Sequence, residues 1–264
     1  MDITGALQLA KRRELKTLFV DIERLPGSFT ADFWDLNAYK GRRIHPDSVN
    51  EWPRTICFAA LWYGDKRPAF YSEWEHGADD MHQAAWDLYD QADIVITYNG
   101  VSFDNKHITS GWVERDMKRP SPWRDIDLLK VARQSQGWES KTLNSVCRRL
   151  GVETKDGKYD VETARAAVAG DARAQRYLKR YNLGDVTILP AVYERLMPWI
   201  KGHPHVAPTL GLEHPTCPRC GSDNVQRNGT HTPAVIHYLR YLCGECGGHF
   251  RTTSHSRGPS VHAL

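Results

Sequence analysis

The sequence predicts an α/β fold, a mixed sheet with helices packed on its faces, followed by a small module built on cysteines. Two patterns carry that expectation. Apolar runs rich in β-formers recur at residues 18–23, 55–63, 68–74, 94–98 and 124–129. The first three follow one another directly, whereas the later ones alternate with stretches of helical period. The second pattern is a pair of Cys-x-x-Cys-Gly turns at residues 217–221 and 243–247. A chain of 264 residues with 41% hydrophobic composition has room for one substantial core and an appendage.

Residues 1–16 read as a short charged helix or a frayed arm. The run at 18–23, Leu-Phe-Val-Asp-Ile-Glu, is the expected first strand and ends in two carboxylates one residue apart. Alternation places Asp21 and Glu23 on the side opposite Val20 and Ile22. Like charges that close repel unless they are protonated or share a cation. Taken alone, such a pair is more often a solvated strand end. The stretch from Arg24 to Pro53 has no clean periodicity. It mixes Phe33, Trp34, Tyr39 and Trp52 with Arg42, Arg43 and His45. That mixture suits a lid or a wall against a single strand, and equally suits aromatics that pin a long loop to the body. A strand at 55–63, a turn at Gly64-Asp65 and a hairpin partner at 68–74 come next, then a helix at 79–91 through Met81, Ala84, Ala85 and Leu88. Cys57, within a buried strand, belongs to the core.

The fourth strand, 94–98, closes at Asn99-Gly100. Ser102 is placed to cap the following helix, which puts Asp104 in its first turn, where a carboxylate complements the helix dipole. Pro120 and Pro122 end this unit, and 124–129 leads from a strand into a short helix. Ser140 is the expected cap of an amphipathic helix with Leu143, Val146, Cys147 and Leu150 on one face and Gly151 as its stop. Helical sequence resumes at Val161, pauses at Gly170-Asp171 and continues to Ile200. There Asp185 shares a face with Ile188, Leu189, Val192 and Leu196, so this acid is aimed at the sheet. Tyr181 lies one turn earlier on that face, provided the helix runs unbroken through Asn182 and Gly184.

The net charge of +3 is modest, and its location says more than its size. From residue 201 onward there are six Lys or Arg against three acids, while the first two hundred residues carry 29 of each. The positive excess therefore belongs to the C-terminal piece. No apolar run approaches a membrane span, and no signal-peptide core precedes Lys11-Arg12-Arg13. A soluble, cytoplasmic protein without a membrane partner is expected.

Four carboxylates sit on elements able to converge: Asp21, Glu23, Asp104 and Asp185. In this order and context the chain resembles the DEDD exonuclease superfamily of the ribonuclease-H-like fold. The first motif is Asp21-Ile22-Glu23. The second is Asn99-Gly100-Val101-Ser102-Phe103-Asp104, the Asn-x-x-x-Phe-Asp form of proofreading domains in family B DNA polymerases. The third is Tyr181-Asn182-Leu183-Gly184-Asp185. The other branch of the superfamily has a histidine five residues before the last aspartate, where this chain has Arg180, so the tyrosine branch (DEDDy) is the match. The helix running from Lys141 to Leu150-Gly151 also resembles the family's helix ending in Leu-Gly. The resemblance spans residues 17–200.

It implies a metal-dependent 3′-to-5′ exonuclease with two Mg²⁺ or Mn²⁺ ions, hard cations that suit carboxylate oxygens. By resemblance, Asp21 bridges both ions, Glu23 and Asp185 hold the ion carrying the nucleophilic water, and Asp104 holds the second, through water. Tyr181, with Glu23, orients or deprotonates that water, and Asn99 and Phe103 lie along the terminal nucleotides. Asp125 and Asp127 are nearby acids assigned to structure. The segment 24–53 is not specified by the family motifs, so substrate length and strandedness do not carry over.

Cys217, Cys220, Cys243 and Cys246 have the spacing of a tetrahedral Zn²⁺ site, with a glycine after each pair to permit the tight turn. A redox Cys-x-x-Cys requires a thioredoxin-like context that is absent. The module resembles a zinc ribbon with strands at 225–230, 237–242 and 249–252. Four cysteines complete one structural Zn²⁺ without His231, His237 or His249. Arg227, Tyr238, Arg240, Tyr241 and Arg251 on its strands suit nucleic acid, and a replication or repair protein is the rival partner. The expected domains are a ribonuclease-H-like exonuclease domain at 1–200, a linker at 201–215, the ribbon at 216–254 and a flexible tail at 255–264. The expected substrate is DNA, single-stranded at its 3′ end. The alternatives are an exoribonuclease of the same branch and a non-catalytic nucleic-acid adaptor that works through the ribbon.

Overall fold

Strand β1 (Thr17–Leu25) is the centre of a five-stranded sheet of order β5-β4-β1-β6-β7. The structure is a computed structural model that describes residues 15–32, 44–154, 157–204, 215–233 and 236–257. β4 (Arg54–Trp62) runs antiparallel to β1, and β5 (Ala69–Ser72) antiparallel to β4. β6 (Ile94–Thr97) pairs parallel with β1, and β7 (Arg124–Asp127) parallel with β6. The two parallel steps need crossovers. Helices α1 (Glu73–His76) and α2 (Ala78–Gln91) make the first, and α3 (Asp104–Val113) makes the second. The expected mixed α/β sheet with flanking helices is what forms.

The described residues divide into two compact units. The first is Thr17–Asp127 with Glu153–Leu189, and the second includes Leu128–Val152 and the chain from Pro190 onward. In the first unit the alternation of β1 sorts its side chains onto two faces. Leu18, Val20 and Ile22 pack with Met81, Ala85 and Tyr89 of α2 and with Ile108 and Trp112 of α3. On the other face Leu25, Ile56 and Cys57 pack with Ala164 and Ala167 of α6 (Val161–Val168) and with Ala174 and Leu178 of α7 (Ala172–Leu196). Each fully buried aliphatic of this kind contributes roughly 1.5–3 kcal/mol. The expected partition of β1 is therefore built from helices on both sides.

A register shift interrupts the β1–β4 ladder between Glu23 and Arg24, where Glu23 faces Cys57 but Arg24 faces Thr55. The extra residue is Ile56, so Ile56 and Cys57 are consecutive and both enter the same core cluster. Such bulges bend a strand and re-aim its side chains. The long segment after β1 is not wholly irregular. β2 (Ser28–Phe29) and β3 (Val49–Glu51) pair antiparallel and clasp its two ends, supported by Thr30 N–H on the Ser48 carbonyl at 3.1 Å. Phe33, Trp34, Tyr39, Arg42 and Arg43 lie outside the described residues, as does the arm at 1–14.

Several boundaries differ from expectation for local reasons. β5 stops at Ser72 because the Ser72 hydroxyl accepts from Glu75 N–H at 3.2 Å and caps α1, which puts Trp74 in a helix. Helix α3 starts from Phe103 without a side-chain cap, so Ser102 does not serve as one. The helix α5 (Leu143–Leu150) is capped by Thr142, whose hydroxyl accepts from Ser145 N–H at 3.3 Å, and not by Ser140. Gly151 ends it in the left-handed conformation, φ 66°. Helix α7 runs unbroken through Asn182, Gly184 and Pro190 to Leu196.

In the second unit, α4 (Leu128–Ser135) and α5 precede a three-stranded antiparallel sheet of β8 (Val225–His231), β9 (Ile236–Cys243) and β10 (His249–Arg257). β10 continues to Arg257, beyond the expected strand end at 252. No described helix is long and apolar enough to cross a membrane.

Candidate metal centres

The first centre is assembled from β1 and one turn of α7. One ligand oxygen from each of Asp21, Glu23 and Asp185 lies within 4.8 Å of the others. Asn182, fully buried, ties the two elements together. Its Nδ2 donates to Asp21 Oδ2 at 2.7 Å and to the Asp21 carbonyl at 3.1 Å. Its Oδ1 is buried and accepts no hydrogen bond among the described residues. Tyr181 belongs to the same turn and hydrogen-bonds Asp185.

Asp104 approaches from the other side of the strand order. Pairing of β1 with β6 ends at Phe19–Ile96, which leaves the Ile22 N–H without a β6 partner. Asp104, 4% exposed at the first position of α3, takes that N–H on Oδ1 at 3.1 Å. Asp104 is not among the three acids grouped within 4.8 Å, but it is the neighbouring charge that acts most strongly on Asp21. The structure thus brings all four expected acids into one electrostatic neighbourhood, three of them within ligand distance.

The turn before Asp104 is held from β7. Asn99 is left-handed, φ 75°, a conformation that Asn tolerates better than most residues. Its N–H donates to Asp127 Oδ1 at 3.0 Å. Gly100 follows because a Cβ there would meet Thr97 Oγ1 at 2.2 Å. Asp125 accepts from Asn105 Nδ2 at 2.6 Å and Trp123 Nε1 at 2.8 Å. Phe103 is 39% exposed, with the Arg24 guanidinium 6.0 Å from its ring and His107 against its edge. Arg24 also bridges His107 Nε2 at 3.1 Å and the Pro53 carbonyl at 2.9 Å. Arg24 and His107 were not singled out from the sequence. The available signals were adjacency of Arg24 to Glu23 and the one-turn spacing of His107 from Phe103.

Burial and mutual repulsion raise every acid here for which a shift is resolved. Asp21 is pushed well above the carboxylate range by desolvation, then by Asp104, Glu23 and Asp185, against a lowering hydrogen bond from Asn182. Glu23 rises to about 8 through desolvation, then Asp185 and Asp104. Asp104 rises to about 7 through desolvation, partly offset by the N–H groups it accepts. Tyr181 is raised by burial, then by the charges of Asp185 and Glu23. Acids raised in the folded state bind more protons folded than unfolded. Their stabilisation is full below the ordinary value of 4.5 for Glu23 and is lost as pH rises through about 8. The metal-free protein should therefore lose on the order of 5 °C of melting temperature across that window. Added Mg²⁺ should recover most of it, chiefly at the alkaline end. A melting temperature that is flat in pH without metal, by calorimetry, would contradict this.

The second centre joins the ribbon's two turns. The four Sγ atoms of Cys217, Cys220, Cys243 and Cys246 lie within 4.8 Å of one another. Cys217–Cys246 and Cys220–Cys243 are both 3.6 Å apart. A tetrahedral ion with metal–sulfur bonds of about 2.3 Å needs an edge of about 3.8 Å. Gly221 N–H donates to the Cys217 carbonyl at 2.9 Å and Gly247 N–H to that of Cys243 at 3.1 Å. Both glycines have positive φ, 75° and 69°. Four thiols at this spacing fit a zinc ribbon.

Comparison with known proteins adds three findings. A model of the RNase_H superfamily, RNase_H_2, matches residues 50–197. That span takes in Asp104, Tyr181 and Asp185 but begins after Asp21 and Glu23. Among solved structures, a family B DNA polymerase from the hyperthermophilic archaeon Pyrobaculum calidifontis superposes with a TM-score of 0.51 at 17% identity, over 70% of this chain and 25% of the polymerase. The chain thus corresponds to about a quarter of that polymerase's length, and the likeness is one of fold. No curated protein sequence matches the chain significantly.

Proposed function

This chain belongs to the RNase_H superfamily, and from that premise we propose that it is a metal-dependent 3′-to-5′ exonuclease acting on DNA, with single-stranded ends preferred. The observation that carries the proposal is the cluster of Asp21, Glu23 and Asp185 within 4.8 Å, Glu23 buried and the two aspartates half-buried, with buried Asp104 beside it. Carboxylates this close and this desolvated are costly without cations, and an all-oxygen donor set suits hard divalent ions. Mg²⁺ or Mn²⁺ held here would supply an activated water and neutralise charge on the phosphate and the departing 3′ oxygen.

The chain's own residues then have distinct tasks. Asp21, bound by Asn182 at Oδ2, is the central ligand, with Glu23 and Asp185 beside it. Asp104, outside the closest group, would help hold a second ion. Tyr181, hydrogen-bonded to Asp185 beside the cluster, orients or deprotonates the attacking water together with Glu23. Asn99, fixed by Asp127, and the exposed ring of Phe103 border the terminal nucleotides, with Arg24 and His107 on the same rim. The four ribbon cysteines would hold one structural Zn²⁺.

Digestion of matched single-stranded DNA and RNA, labelled at the 5′ end, with Mg²⁺ or Mn²⁺, tests this reading. A ladder shortening from the 3′ end is the expected result, and the faster substrate names the preferred sugar. Internal cuts would make the protein an endonuclease. Intact substrate with both metals would leave a non-catalytic adaptor.

A further inference from the structure

The three ribbon strands contain no Asp or Glu, yet they carry Arg227, His231, His237, Arg240, His249 and Arg251. Cross-strand pairing sorts these onto faces. Arg240 stands directly opposite Arg251, and His231 directly opposite Tyr238. Residues two apart on β9 share a face, so Tyr238, Arg240, Arg251 and His231 lie together, with His249 two residues before Arg251. The Arg251 guanidinium sits 3.7 Å from the Tyr238 ring centre. A groove of about 190 Å³ is lined by His231, Arg240, His249, Phe250 and Arg251.

Two arginines directly opposite on neighbouring strands repel. Among the described residues no carboxylate pairs with either. Arg240 is held in place through Asn228, with Nε on its carbonyl at 2.7 Å, and Arg251 and His249 are exposed. A fixed, unneutralised pair of cations beside an aromatic ring is complementary to a chain of phosphates whose bases offer flat faces. From this charge arrangement we infer that this face of the ribbon binds single-stranded nucleic acid. Adjacent phosphates sit between Arg240 and Arg251, and a base stacks on the Arg251 plane over Tyr238. DNA and RNA share that chemistry. The inference stands apart from the nuclease reading, because it concerns binding and requires no hydrolysis.

The test uses the full chain with Zn²⁺ bound, in an Asp21→Asn background so that the ligand stays intact. Fluorescence anisotropy with 5′-labelled 20-mers of single-stranded DNA and of RNA measures affinity against salt concentration (length chosen as roughly one to a few site sizes). Arg240→Ala/Arg251→Ala should weaken binding about tenfold or more at moderate salt. It should also reduce the salt slope by about 1.4, the loss of two phosphate contacts on a single strand. Arg240→Lys/Arg251→Lys should keep the slope. In the Asp21 parent, turnover of bis(p-nitrophenyl) phosphate should be unchanged by either pair. A failure of that turnover in the parent itself would count against the nuclease reading, not this one. Unchanged affinity and slope in the alanine pair would overturn the inference and assign the face to a protein partner. A lysine pair as weak as the alanine pair would also overturn it, as a folding effect.

Discussion

Asp21→Asn is expected to lower turnover by at least about 10³-fold while raising the melting temperature of the metal-free protein. The two effects share one cause. Asp21 is desolvated and faces Asp104, Glu23 and Asp185, so its charge is opposed in the absence of cations. The amide removes that charge, keeps the volume, and retains an oxygen to accept from Asn182 Nδ2, which now stands 2.7 Å from Oδ2. About 1 kcal/mol of relief corresponds to roughly 2–4 °C in a protein of this size. The same loss removes the ligand central to the cluster. Several kcal/mol of transition-state stabilisation are at stake in such a site, and each 1.36 kcal/mol is about tenfold in rate. Steady-state digestion and calorimetry on one preparation check both halves. A variant that melts lower and still cuts would refute the cluster as a metal site. Opposed effects on stability and activity are the mark of a strained functional group.

Cys243→Ala is expected to unfold the ribbon while the sheet around β1 stays folded. Among the described residues from 215 onward, the buried side chains are Thr216, Cys217 and Cys243, with no aliphatic or aromatic among them. The strands of the ribbon therefore have almost no apolar core to replace a lost ligand. A structural Zn²⁺ contributes about 10–16 kcal/mol in small zinc-dependent peptides, far more than any other interaction in this module. Metal analysis should find zinc near one equivalent in the parent and near zero in the variant. Amide exchange should become fast throughout β8, β9 and β10 but stay slow in β1 and β4. Ribbon amides that remain protected without metal would sink the assignment.

What the sequence made legible was local and periodic. Alternation in β1 placed Asp21 and Glu23 together because strand periodicity needs no knowledge of neighbours. The helical face of Asp185 was readable for the same reason. The bulge at Ile56 was not, since it is a property of the β1–β4 ladder and not of either strand alone. Asn182 read as a threat to helix continuity, whereas it is the tie between α7 and Asp21, a contact across 161 residues of sequence. Ser102 and Ser140 read as caps by residue type. The backbone turned elsewhere, at Phe103 after the left-handed Asn99 and at Thr142. Asp127 looked structural, and its hold on Asn99 N–H shows how a structural acid positions the border of a candidate site.

The small clasp of β2 on β3 has a consequence for how such a protein diversifies. Because the ends of the segment between β1 and β4 are pinned to each other, the chain inside that clasp is an exchangeable cassette. Doubling a flexible loop costs only about 0.6 kcal/mol of closure entropy. Nothing in β1, whose acids face the other elements, would have to move to accommodate the change. The turn of α7 that carries Tyr181, Asn182 and Asp185, by contrast, tolerates no change of length. One inserted residue there would rotate Asp185 by about 100° relative to Asn182.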